Sequence, residues 1–307
     1  MNETMLETLV SQRSAEWQEL RQRVQLTASK FGDAVGVGQG RPYDFFLSLL
    51  SDDACSQENK ESEYTKHGRR MEPIIDEAYQ LLTGNETHAA GFWQPQEGSI
   101  LHSLCGATPD GKILSASEPK KLIGLVEYKA PFFQLYDCSK HPHGIPRHYM
   151  AQIQGQMAIC EAPWCDFMAV STQTSEVSLQ RVHFSRAYWQ CVAKKLRQFS
   201  LTLKEAKQRK ELGKPFLNFP GIQRLKNEPI ARTLLPGENS ITVENLLEVN
   251  SKGQFRSSSG TWMDFDFLMG NPVPGTSHLQ GYQYDCILRE IDSAIRKRNI
   301  PDLEAVK

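Results

Sequence analysis

Two periods of apolar residues run along this chain of 307 residues, one near 3.6 and one near 2. Residues 4–24 carry the first and predict a helix. "TASKFGDAVG" (27–36) reads as a second helix, capped by Thr27 or Ser29 and ending near Gly36. Residues 51–66 are polar and read as a loop, and a helix is expected over 67–83, stopping before Gly84 and Asn85. Strand patterns then dominate from 88 to 130, in "HAAGFWQ", "SILHSLCGAT", "GKILSAS" and "LIGLVEYKA", with "SASEPKK" as a surface loop or hairpin tip. After a loop, 147–160 reads as a helix, 164–172 as a strand, and 177–184 as a strand alternating like an exposed edge.

A long helix is expected from about 186 to 212, because Trp189, Val192, Leu196, Phe199 and Leu203 form an apolar stripe. Its other side is basic, with Lys194, Lys195 and Arg197 among many cations; the alternative to a DNA-backbone contact is a solvated face. From about 215 Pro, Gly, Ser and Asn become frequent, until an amphipathic helix expected over 278–299. The pattern divides the chain into a core, 1–214, and an appended region, 215–307, packed on the core or reaching a partner.

Composition changes this picture little. Hydrophobic content of 39% and charged content of 23% suit a globular chain with a sizeable core. A net charge of −1 gives no global signal for a polyanion, so any nucleic-acid contact must rest on local clusters. The start of the chain is polar, and no stretch approaches the roughly 20 apolar residues of a membrane helix; no membrane partner is expected. The seven cysteines include no Cys-x-x-Cys pair, so reduced thiols in an intracellular protein are expected.

Chemistry concentrates in "LIGLVEYKA". A strand places Glu127 and Lys129 on one face and Tyr128 on the other. Charges entering an apolar strand need compensation. One solution is a plain ion pair. Another is a divalent cation on Glu127, with Asp110 from the turn Thr108-Pro109-Asp110-Gly111 as second carboxylate and Lys129 aimed at a substrate anion. Two carboxylates and a lysine suit phosphodiester hydrolysis with Mg²⁺, Mn²⁺ substituting. Taken alone, Asp-x(n)-Glu-x-Lys is a common pattern, and the ion pair is the stronger reading.

Three further features bear on the choice. Glu72 shares a helix face with Ile75 and Tyr79, where a carboxylate wants a cation. Tyr149, Gln152 and Gln156 share a face of the 147–160 helix, where amides can orient water. Arg21 and Arg23 precede a helix start bearing Thr27 and Ser29, an arrangement suited to phosphate or to simple capping.

In this order, "WQELRQRVQLTAS", "HGRRMEPIIDEAY", "CGATPDG", "LVEYKAPF" and "YMAQIQGQM" resemble the YqaJ-like viral recombinase family, the group of phage lambda exonuclease within the PD-(D/E)xK nucleases. The resemblance covers roughly residues 17 to 200. It implies an α/β (α+β) fold, a central mixed sheet flanked by helices in a restriction-endonuclease-like core. It implies a Mg²⁺-dependent exonuclease degrading one strand of duplex DNA from a 5′ end; an endonuclease, an RNA-acting nuclease and a non-catalytic scaffold are the alternatives. Carried over by position, Asp110 and Glu127 bind metal, Lys129 is the catalytic lysine, Gln152 an active-site amide, Glu72 an additional metal carboxylate and the Tyr128 carbonyl a further ligand. Ser29, Thr27, Thr108 and either Arg21 or Arg23 fall where the family holds a 5′ phosphate. Double-stranded DNA ends, a single-strand annealing or binding protein and a homo-oligomer, the family's trimeric ring, are the implied partners, in the cytoplasm or a nucleus. The gap from Asp110 to Glu127 is long for the family, and 215–307 has no counterpart in it.

Overall fold

A computed structural model describes residues 7–51, 62–230 and 234–270. The chain opens with β1 (Glu7–Thr8), α1 (Ala15–Gln22) and β2 (Leu26–Thr27). A 3₁₀ turn (Ala28–Lys30) leads into α2 (Phe31–Val35), which Gly36 ends at φ 87°, and α3 (Pro42–Ser48) follows. The expected single helix over 4–24 is therefore shorter. Ser14 caps α1 by accepting a bond from the Trp17 N–H, and Glu7–Thr8 pairs instead with β3 (Phe92–Trp93). The expected loop over 51–66 is cut at its end, because α4 (Glu63–Thr83) starts at a Ser62 cap, earlier than 67. Gly84 closes it in the left-handed region at φ 73°.

The short β4 (Cys105–Gly106) runs parallel to β2 and joins "TAS" to "CGAT". The expected strand "SILHSLCGAT" survives only in those residues, since 99–104 turn tightly through Leu104 N–H to the Leu101 carbonyl. Next come β5 (Gly111–Leu114), β6 (Leu122–Lys129), α5 (Arg147–Cys160), β7 (Trp164–Ser171) and β8 (Glu176–His183). The chain continues with α6 (Arg186–Glu211), α7 (Pro220–Asn227), β9 (Val243–Asn245), β10 (Phe255–Arg256), β11 (Trp262–Met263) and α8 (Phe265–Gly270).

Five strands form the central sheet in the order β5-β6-β7-β8-β9. β6 and β7 are parallel, with Glu127 opposite Phe167, joined by a crossover containing α5; the other pairs are antiparallel. The mixed sheet flanked by helices is the fold class read from the sequence. Alternation divides its faces. Leu125, Cys165, Phe167 and Val182 pack with Ile153 of α5 and with Val192, Leu196 and Phe199 of α6. Val126, Tyr128, Met168 and Leu179 pack on the other side with Met71, Ile75 and Tyr79 of α4. A side chain at Gly155 would strike the ring of Phe31, so a glycine there lets α2 approach α5.

Described residues after 215, among them β9 and α8, pack on this core. β9 covers β8, so 177–184 is an inner strand rather than the exposed edge expected. Met263, Phe265, Leu268 and Met269 bury themselves in the layer with α4. Arg147, at the start of α5, makes a bidentate pair with Glu238, at 2.9 Å from Nε and 2.7 Å from Nη2. The helix expected over 278–299 lies outside the described residues. No helix among the described residues is long and apolar enough to cross a membrane.

Candidate active site

Glu127 lies in the middle of the sheet with 2% of its side chain exposed. Alternation puts Lys129 beside it, and Lys129 Nζ donates to Glu127 Oε1. The helix opposite closes the shell: Gln152 Nε2 donates to Oε1 at 2.5 Å and Gln156 Nε2 to Oε2 at 2.8 Å. These glutamines are four residues apart on α5, so one helix face presents both amides. Tyr149, one turn earlier, sets its ring 4.9 Å from Lys129 Nζ.

Asp110 arrives from the bend before β5. Its Oδ2 accepts the backbone N–H of Tyr128 at 2.7 Å, which fixes it against the peptide following Glu127. Desolvation, then the charge of Glu127, push the Asp110 carboxyl well above the ordinary aspartate value; Lys129 opposes the shift and Glu72 adds to it. Burial alone would lower Lys129, but Glu127 and Asp110 outweigh it and hold the ammonium above the ordinary lysine range. The Tyr128 ring points away, donating its O–H to Asp76 Oδ1 at 2.7 Å in the opposite layer.

Asp110, Glu127, Lys129, Gln152 and Glu72 line one cavity of about 840 Å³. Glu72 stands at its side and pairs with Arg13 at 2.8 Å. Among the described residues, no group of three or more His, Cys, Asp or Glu is gathered closely enough to hold a metal.

The same cavity takes in Arg21, Thr27, Ser29 and Thr108. The hydroxyls of Thr27 and Ser29 are 3.2 Å apart, and Arg21 Nη2 lies 3.5 Å from Thr27 Oγ1. Trp17 holds this wall together: its ring lies 4.3 Å from the Arg21 guanidinium, and its Nε1–H donates to Thr108 Oγ1 at 3.0 Å. The two arginines differ in position, and Arg21 lines the cavity. Arg23 is exposed, pairs with Glu19 at 3.7 Å and does not line the cavity. The order β2, turn, α2 beside β4 explains the convergence, because the parallel pair sets Thr27 opposite Gly106, two residues before Thr108.

Lys194, Lys195 and Arg197 lie elsewhere. Lys194 and Arg197 line a different groove with Phe219 and Arg224, and Lys195 pairs with Glu228. Sequence reasoning did not single out Arg13, Trp17, Tyr64, Arg69 or Phe132, which also line the cavity. Trp17, Arg69 and Phe132 stand within the very segments that carried the family resemblance, which was the available signal.

The mixed sheet and its flanking helices are the fold of solved alkaline exonucleases. The crystal structure of an alkaline exonuclease (LHK-Exo) from Laribacter hongkongensis matches with a TM-score of 0.50 at 20% identity, over 65% of this chain and 97% of that one. Its complex with dAMP matches with a TM-score of 0.51 at 20% identity, over 65% of this chain and 98% of that one. Residues 16–163 match the model of the YqaJ-like viral recombinase domain. Uncharacterized protein R354 of Acanthamoeba polyphaga mimivirus is 31% identical over 169 residues, 51% of this chain. The match spans 28% of the length of that viral relative.

Proposed function

We propose that this chain is a divalent-metal-dependent nuclease that degrades one strand of duplex DNA from a 5′ end. The observation that carries the reading is the convergence of Asp110, Glu127 and Lys129 in one cavity within the YqaJ-like domain.

The residues present fit a metal of the Mg²⁺ type. Their donors are hard oxygens. Asp110 is kept from easy ionisation by burial and by Glu127, which is an unmet demand for positive charge. Its Oδ1 accepts no hydrogen bond among the described residues. Asp110, Glu127 and the Tyr128 carbonyl would hold the ion. Bound there, it would acidify a water and offset charge on the phosphoryl oxygens.

The chain's own groups account for the rest. Lys129 keeps its ammonium between Glu127 and the cavity, where it offsets charge developing on the phosphate. Gln152 and Gln156 fix Glu127 from the helix side, so the carboxylate is oriented before substrate arrives. Arg21, Thr27, Ser29 and Thr108 offer a cation and three hydroxyls to a terminal phosphate, which favours attack close to an end.

The test compares linear duplexes bearing 5′-phosphate or 5′-hydroxyl ends with closed circles, with Mg²⁺ and with chelator. Metal-dependent loss of linear DNA, faster from the phosphate end, with circles intact, is expected. Cutting of circles would replace this reading with an endonuclease, and no cutting of either with a binding scaffold.

A further inference from the structure

The cavity is larger than a phosphate and two acids require. Its volume of about 840 Å³ is in the range that accommodates a drug-sized ligand. One part of its wall has no role in the mechanism above. Tyr64, in the first turn of α4, and Phe132, three residues beyond the end of β6, both line it. Their ring centroids are 5.1 Å apart and their planes lie at 76°. The two rings therefore make a corner with one face and one edge, not a closed stack.

The corner is braced from behind. Phe132 lies 5.2 Å from the ring of His67 and 5.1 Å from Phe133, both edge-on. Tyr64 is different. It keeps 48% of its surface exposed, although a tyrosine placed only to seal a core would be buried. Arg69, on the same helix, lines the same cavity. An aromatic face beside cations suits one chemistry well, a nucleobase carried on a phosphodiester backbone.

We infer that Tyr64 and Phe132 form a sequence-tolerant base-stacking subsite of the cavity, taking a base of the strand whose phosphate lies at Asp110 and Glu127. This rests on the proposed nuclease reading for the placement of the strand, but the stacking itself is measured without cleavage. Geometry sets the distance. Tyr64 precedes Glu72 by eight residues on one helix, about 12 Å of rise. Phe132 follows Lys129 by three residues, at most about 10 Å. The stacked base therefore belongs to a nucleotide near the cleaved one rather than to the cleaved phosphate's own contacts. Stacking uses the π-face that every base has, so no preference among the four bases is expected.

The experiment is equilibrium binding of a fluorescent single-stranded DNA to the full chain in chelator, against a strand of equal length made of abasic units. The wild type is expected to prefer the base-bearing strand by about tenfold. Tyr64→Ala should abolish most of that preference while binding the abasic strand as the wild type does, and Tyr64→Phe should restore it. Equal affinity of the wild type for the two strands, or an undiminished preference in Tyr64→Ala, overturns the inference. If the preference follows Tyr64 yet linear duplex is never cut, the nuclease reading fails and the subsite stands.

Discussion

Gln156 of α5 donates from Nε2 to Oε2 of Glu127 on β6, at 2.8 Å, across the interior of the molecule. The contact joins a helix to the strand it crosses over, and it satisfies an almost fully buried carboxylate whose other oxygen serves Gln152 and Lys129. Replacing Gln156 by Leu removes that donor and leaves part of a buried charge unpaired. A loss of about 1–3 kcal/mol in folding stability is expected, measured by denaturant unfolding. A variant as stable as the wild type would show that the amide is dispensable.

Asp110 illustrates the opposite situation, a group whose charge the metal-free fold opposes. An aspartate ionises near 3.8 in the absence of its surroundings, and burial together with Glu127 raises it here. Between the two values the folded chain holds a proton that the unfolded chain has released. The stability of the metal-free protein should therefore fall as pH rises through that window. Asp110→Asn keeps an acceptor for the Tyr128 N–H and removes the charge. It should melt about 2–4 °C higher than the wild type at neutral pH in chelator, as a gain of about 1 kcal/mol would give, and should lose cleavage. A lower melting temperature would mean that Asp110 is not under electrostatic strain.

The two arginines offered by the sequence separate cleanly. Arg21 faces the cavity beside Thr27, whereas Arg23 pairs with Glu19 on the surface. Arg21→Ala should reduce the rate advantage of a 5′-phosphate over a 5′-hydroxyl end by about tenfold or more, the scale of one charge-assisted hydrogen bond. Arg23→Ala should leave that ratio unchanged. Initial rates on the two duplexes decide it.

The expected boundary at 214 can be tested directly. β9 covers β8, and Phe265, Leu268 and Met269 are buried against α4. Each such side chain stabilises the fold by about 1.5–3 kcal/mol when removed from water. A chain ending at 214 should melt at least 10 °C lower or aggregate through the exposed β8 edge, as thermal unfolding and light scattering would show. An equally stable fragment would make 1–214 a unit on its own.

Much of the fold was legible from local periodicity. α4, α5, α6, β6 and β7 announce themselves through apolar stripes and runs, and "SASEPKK" through its turn residues. The pairing of Glu127 and Lys129 on one face follows from strand geometry alone. What the sequence did not reveal depends on distant contacts. The two-residue strands at Glu7–Thr8 and Cys105–Gly106 are too short for any period and exist through their partners. β8 alternates like an edge strand because its covering strand, β9, is only three residues long and 60 positions downstream of its end. The juxtaposition of Trp17 with Thr108 spans 91 residues and has no local trace.

Asp110, Glu127 and Lys129 are proposed to form a metal-assisted centre for breaking phosphodiester bonds. The most direct measurement is turnover of an end-labelled linear duplex by purified wild type and Lys129→Ala in Mg²⁺, with binding of the same duplex followed in chelator. The variant is expected to bind the duplex and to lose cleavage by at least about 10²–10³-fold, the scale of losing one preorganised charge at a reacting phosphate. Cleavage by Lys129→Ala at the wild-type rate would contradict it.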